Sequence, residues 1–168
     1  MKTEEDYSVR LEWYEVSVAI HVAGLRQSMC IRDKRKDRPS FDGRDMQENF
    51  FGVMGEMAVA KFKGMYFPGT VDTFKDADLG KNIQVRTVGS NRNRSLIVRP
   101  ADSSSDVFVL VEITKKEGFY EGVIHGWIWG RQAKRDDWLS HFGQPHKPPA
   151  YKVPTEALNK PNVSEINN

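Results

Sequence analysis

Along residues 12–31 apolar positions recur at helical spacing. In EWYEVSVAIHVAGLRQSMCI, the residues Val16, Ile20, Ala23 and Gln27 share one face, and no proline interrupts them. This spacing predicts a first, partly buried helix. The charged run RDKRKDRPSFDGRD, with Pro39 and Gly43, then reads as a loop. A second helix is predicted over residues 45–63. Met46, Phe50, Val53, Met57 and Phe62 lie near helical spacing there, and Gly64 is placed as the C-terminal stop. Gly52 and Gly55 inside it each cost about 1 kcal/mol relative to alanine, a cost usually carried where another chain segment or a ligand comes close.

Beyond YFPGTVDTF the period changes from helical to alternating. Ile83, Val85 and Thr87 point one way and Gln84 and Arg86 the other, so the stretch reads as a strand. SLIVR, DVFVLVEI and FYEGVIHGWIW follow as β-branched and aromatic runs joined by the short breaks GSNRN, PADSS and KKEG, and this order suggests an antiparallel meander. The segment RDDWLSHFGQPHKPPAYKVPTEAL holds four prolines and is expected to wrap the surface, and residues 155–168 are expected to form a partly disordered tail. There is no internal repeat.

Composition narrows the classes. A chain of 168 residues with 39% hydrophobic content supports one real core, taken as a single domain over 1–154. Lysine plus arginine number 25 against 23 aspartate plus glutamate, so any nucleic-acid partner must be argued from local clusters rather than from net charge. The single cysteine, Cys30, excludes an internal disulfide framework and a cysteine-based zinc site within one chain. The N-terminus is acidic where a signal peptide is basic, and no apolar run approaches the roughly 20 residues that span a bilayer. The expectation is a cytoplasmic protein without a membrane partner. No GxxxxGK[ST] loop is present, so no nucleotide cofactor is expected.

The chemistry concentrates in DADLGKNIQVRTV, residues 76–88. A two-residue step on a strand puts Gln84 and Arg86 on one face, and the five residues LGKNI are short enough to set the Asp78 carboxylate beside Gln84 across a hairpin. Phosphodiester hydrolysis needs a metal to activate water and offset transition-state charge. Asp78, the Gln84 amide oxygen and the Val85 carbonyl form an oxygen donor set of the kind magnesium prefers, with Glu56 of the second helix acting directly or through a water. Arg86 does not lose its proton at working pH and is no general base, but its fork can clamp a phosphate oxygen.

In this order the residues resemble the PD-(D/E)xK nuclease superfamily. The resemblance runs from FFGVMGEMAVAKF through DADLGKNIQVRTV to DVFVLVEI, roughly residues 50–128, with GVIHGWIWGR closing a core of about 45–130 in the manner of phage and environmental members. It implies an α/β fold with a restriction-endonuclease-like core, a mixed, mostly antiparallel central sheet flanked by helices. It also implies Mg²⁺- or Mn²⁺-dependent hydrolysis of DNA, endo- or exonucleolytic. By position, Glu56 matches the acidic residue of the core helix, Asp78 the metal-binding aspartate, Gln84 the glutamate position and Arg86 the lysine. Catalysis would then fall to Glu56, Asp78, Gln84 and Arg86, with Asp78, Gln84, Val85 and Glu56 as metal ligands. One such site cuts one strand, so double-strand cleavage would imply a homodimer. The competing expectation is the same fold kept as a DNA-binding or accessory protein, its chemistry weakened or lost through Gln84 and Arg86.

Taken singly, the same residues have plainer readings: Asp78 as a turn-capping residue, Gln84 and Arg86 as the wet face of a strand, Glu56 as a helix-surface residue. Arg92, Arg94 and Arg99 are candidate phosphate contacts or ordinary loop charges. Trp127 and Trp129 share a strand face and are expected to cover the core rather than stack on bases. His21, His125, His141 and His146 show no metal-ligand spacing and are expected at the surface.

Overall fold

The computed structural model describes residues 7–33, 44–71, 76–90, 94–143 and 148–162. The chain opens on strand β1 (Ser8–Leu11) and runs into helix α1 (Trp13–Arg32) and helix α2 (Arg44–Lys63). Strands β2 (Ile83–Gly89), β3 (Ser95–Val98), β4 (Val107–Lys115) and β5 (Tyr120–Trp129) follow, then a short helix α3 (Gly130–Ala133) and strands β6 (Leu139–Ser140) and β7 (Ala150–Pro154). Both long helices fall within a residue or two of their predicted bounds. Glu12 and Glu15 start α1 with a reciprocal capping box, and Gly64 ends α2 at φ +64.

The architecture is α/β with two sheets. One has the order β1-β5-β4-β2 and the other β3-β7-β6. The meander expectation is corrected here. β4–β5 and β1–β5 are antiparallel, but β2 and β4 run parallel, Ile83 beside Val107 through Gly89 beside Ile113. Parallel neighbours need a crossover of a dozen residues or more. Residues 90–106 supply it, and β3 within them leaves for the second sheet, where it pairs with β7. β1 was not anticipated.

The large sheet separates two apolar clusters. Ile83, Val85, Val107, Val109 and Val111 face α1 and α2, while Phe108, Leu110 and Ile128 face Leu96, Val98 and Val153 of the small sheet. The predicted alternation of β2 therefore holds, with Gln84 and Arg86 on the side of the small sheet. Trp127 belongs to the helix-side core and meets Trp129 edge-on at 6.4 Å. Its main chain pairs with Asn159, so the tail expected from residue 155 is docked as far as that residue. In α1 the buried set is Ala19, Val22, Ala23 and Gln27, and Ile20 is exposed instead. The helix is apolar around most of its circumference, so periodicity alone did not fix which side faces inward.

One glycine sets the depth of α2 on the sheet. A Cβ on Gly55 would stand 2.0 Å from the Thr87 hydroxyl, whereas one on Gly52 would meet nothing within 4 Å. Gly55 thus allows the close approach expected of such glycines, and it brings the neighbouring Glu56 up behind β2.

Candidate active site

β2 is an edge strand, and its outer edge is covered by a hairpin. Leu79 and Ile83 exchange two main-chain hydrogen bonds across the turn, with Gly80 at φ +58. That register sets Asp78 opposite Gln84, as expected from LGKNI. The Asp78 Oδ2 accepts the Val85 N–H at 2.7 Å, satisfying an edge amide that no strand reaches. Burial pushes the Asp78 carboxyl above the usual range. The Val85 N–H, Arg86 and Arg26 pull it down, and Asp102 adds to the rise.

Glu56 lies behind this hairpin, buried on α2. Arg26 of α1 holds it in a two-pronged pair, Nη1–Oε1 2.7 Å and Nη2–Oε2 2.9 Å, and donates its Nε to the Thr70 carbonyl at 2.9 Å. Burial raises the Glu56 pKa against the pull of Arg26, and the charge of Asp78 adds to the rise. Burial also opposes the Arg26 charge, but Glu56 outweighs it and holds the guanidinium protonated. Both oxygens of Glu56 are occupied in this arrangement. It comes to the site as a clamped carboxylate rather than as an open ligand.

On the other face of β2 the partners come from residues 99–106. Gln84 Nε2 donates to Asp106 at 3.0 Å, which fixes the amide and leaves Oε1 as its acceptor. Arg86 donates Nη2 to Asp102 at 3.0 Å and Nε to the Ile97 carbonyl at 3.2 Å, while its guanidinium lies 5.0 Å over the Phe108 ring. Lys134 straps the same loop through the Pro100 carbonyl and the Ser104 hydroxyl, and Gly130 N–H donates to the Asp106 carbonyl. Asp102 and Asp106 were not singled out in the sequence, where PADSSSD reads only as a break between strands. Arg26 carried no spacing signal toward Glu56.

The oxygen donors at the hairpin are the Asp78 carboxylate, the Gln84 Oε1 and the Val85 carbonyl, the last approached by Arg86 Nη1 at 3.5 Å. One charge and two neutral oxygens suit a hard cation that keeps several of its waters, as magnesium does, and do not suit zinc. No group of three or more His, Cys, Asp or Glu residues placed to hold a metal occurs among the described residues. In this arrangement one Asp78 oxygen accepts the Val85 N–H, Arg86 stands at the Val85 carbonyl and both Glu56 oxygens are held by Arg26, so these donors would have to exchange partners to take up a cation.

The remaining candidates are dispersed. Arg94 pairs with buried Glu112 at 2.7 Å, and Glu112 also meets His125 at 2.8 Å. His125 is therefore half-buried rather than at the surface. It sits where the β4–β5 register slips, and that irregularity aims the ring at Glu112. Arg99 is exposed, with its backbone N–H capped by Asp102. Arg92 and His146 lie outside the described residues. Lys63 is buried two turns from Glu56 on the same face of α2, and its amine has no hydrogen-bond partner; burial lowers its pKa. No helix among the described residues is long and apolar enough to cross a membrane. No protein-family model, curated protein or solved structure matches the chain.

Proposed function

We propose that the chain is a divalent-cation-dependent hydrolase of phosphodiester bonds in DNA, working at the β2 hairpin. The observation that carries this reading is the cross-hairpin placement of Asp78 and Gln84, with the Val85 carbonyl on the same edge, Arg86 ahead and buried Glu56 behind. A magnesium or manganese ion bound there would lower the pKa of a coordinated water and offset charge on the phosphate. Asp78 would hold the ion and Gln84 Oε1 would complete the protein's share of ligands. Arg86, already turned along the Val85 carbonyl, would present its fork to a non-bridging phosphate oxygen. Glu56, when released by Arg26, would orient the attacking water. Two carboxylates held above their ordinary pKa by burial, in one corner of a fold, are an arrangement that stability alone does not favour and that functional sites often show.

A second reading, a nuclease-like frame that holds DNA without cutting it, is favoured by the two closed ion pairs Arg26–Glu56 and Arg86–Asp102. One experiment separates them. The full chain is titrated with Mg²⁺ and Mn²⁺ by calorimetry and incubated with supercoiled, nicked and branched DNA, beside Asp78→Asn. Metal binding with cleavage, both lost in Asp78→Asn, is the expected result. DNA binding without metal uptake or cleavage supports the second reading, and absence of both overturns the site.

A further inference from the structure

α1 buries one side against α2 and, among the described residues, leaves the other uncovered. On that outer side Trp13, Tyr14, Val18, Ile20, Leu25 and Ile31 are between 43% and 72% exposed. The helix carries three formal charges, and none sits in the middle of this face. Glu15 pairs with Lys61, Arg26 turns inward to Glu56, and Arg32 lies at the C-terminal end. A helix face that meets only water normally carries lysine and glutamate.

We propose that this face is a self-association surface, and that the protein is a two-fold homodimer packed through α1. The area fits a protein partner. With the adjoining Met46, these side chains present on the order of 700 Å², using roughly 150–250 Å² for a whole aromatic side chain as the scale. The largest apolar patch on a typical monomer is roughly 300–600 Å², and a standard interface takes roughly 800 Å² from each partner.

The relief of the face suits a second copy. Trp13, Ile20 and Ile31 form one ridge, Tyr14, Val18 and Leu25 another, and Ser17, Gly24 and Ser28 line the groove between them. Ridges packed into such grooves are the ordinary geometry of paired helices. Both serine hydroxyls are turned back onto their own helix, Ser17 to the Trp13 carbonyl and Ser28 to the Gly24 carbonyl, each at 2.9 Å. Covering the groove therefore strands neither hydroxyl. An isologous contact sets the same patch of both subunits together, residue i against j and j against i, so a face without formal charges meets itself without like-charge repulsion. Beside the Ile20 ridge an open cleft of about 350 Å³, lined by Ile20, Ala23, Met46, Gln47 and Phe50, leaves room for a bulky side chain of the partner. A helix that lies on a membrane instead pairs its apolar side with a face rich in lysine and arginine; the opposite face of α1 is packed into the core.

The inference does not depend on the chemistry at Asp78. Light scattering and sedimentation equilibrium of the full chain, from low to high micromolar concentration, should give twice the 19.2 kDa chain mass. Val18→Glu and Leu25→Glu should each give the single-chain mass with unchanged helical circular dichroism. Should either variant fail to fold, His21→Cys in a Cys30→Ser background, at the middle of the face, should still form an intermolecular disulfide on mild oxidation. A wild-type monomer throughout the range, a dimer that survives both charge variants, a wild-type dimer without the His21→Cys cross-link, or a monomer that pellets with anionic vesicles would each overturn the proposal.

Discussion

Gly52 and Gly55 lie three residues apart in α2, and alanine at the two positions is expected to act with opposite sign. In a helix interior, glycine to alanine gains about 1 kcal/mol. At Gly52 nothing stands within 4 Å of the new methyl, so the full gain is expected. For a chain of this size that is a rise in Tm of about 2–4 °C. At Gly55 the methyl would meet Thr87 Oγ1 at 2.0 Å and both Thr87 Cβ and Cγ2 at 3.1 Å. Rotating Thr87 moves its hydroxyl but leaves its Cβ, fixed to the strand, 3.1 Å from the methyl. The helix must retreat from the sheet, at an overpacking cost of about 3 kcal/mol, the upper end of the usual range. Set against the helix gain, the net loss is about 2 kcal/mol, or about 4–8 °C in Tm. Thr87→Ala removes the hydroxyl and one methyl, so the double variant should recover most of the loss, with a coupling of about 1 kcal/mol or more. Urea denaturation of the four proteins measures each term. A Gly55→Ala variant more stable than wild type, or a loss that Thr87→Ala leaves untouched, would refute the account of how α2 meets β2.

Other substitutions test the charged groups. Arg26→Met leaves the Glu56 carboxylate buried without its partner and should cost about 3 kcal/mol, with strong non-additivity in a denaturation cycle with Glu56→Gln. Asp78→Asn keeps an acceptor for the Val85 N–H and removes a charge whose folded pKa is raised. The favourable contribution of that raised pKa is full below the unfolded value and lost as pH rises through the folded one, so the variant should match wild type in acid and be more stable at neutral pH by thermal melts. Lys63→Met removes an unpartnered buried amine whose folded pKa is depressed. The amine's cost appears as pH falls through that folded value, so the variant should be the more stable near pH 7, with the gain shrinking in alkali. Glu112→Ala strips half-exposed Arg94 and His125 of their shared carboxylate and should cost about 1.5–3 kcal/mol in urea denaturation.

The helices and the faces of β2 were legible because their signals are local. Glu12 caps, Gly64 stops, and the alternation from Ile83 to Thr87 sorts two sides whatever the strand pairs with. Strand direction is not local: VFVLVEI has the same pattern beside a parallel or an antiparallel neighbour, and the choice rests on where residues 90–106 travel. The first helix misled for a related reason. Its apolar residues surround it, so a face containing Ile20 was as good a fit as the one containing Ala19 and Val22. At the site, the hairpin placed Asp78 by Gln84 as its length required, but the partners of Gln84, Arg86 and Glu56 lie 22, 16 and 30 residues away in sequence. Nothing near a residue announces such contacts.

Those distant partners give Gln84 and Arg86 of the strand a joint physical cause. A glutamate at position 84 would set a second carboxylate against Asp106, whose oxygen lies 3.0 Å from the Gln84 amide nitrogen; the amide turns a like-charge contact into a hydrogen bond. A lysine at position 86 has no planar fork, and so would not bond the Ile97 carbonyl and Asp102 from separate nitrogens while lying over Phe108. Both residues suit a loop that brings Asp102 and Asp106 onto the strand and is itself held by Lys134 and Gly130. A negative charge already stands one contact from position 84, on Asp106. Gln84→Glu alone would therefore crowd charge against Asp106, and only with Asp106→Asn beside it would the change test whether a carboxylate at this position strengthens the proposed Mg²⁺ binding.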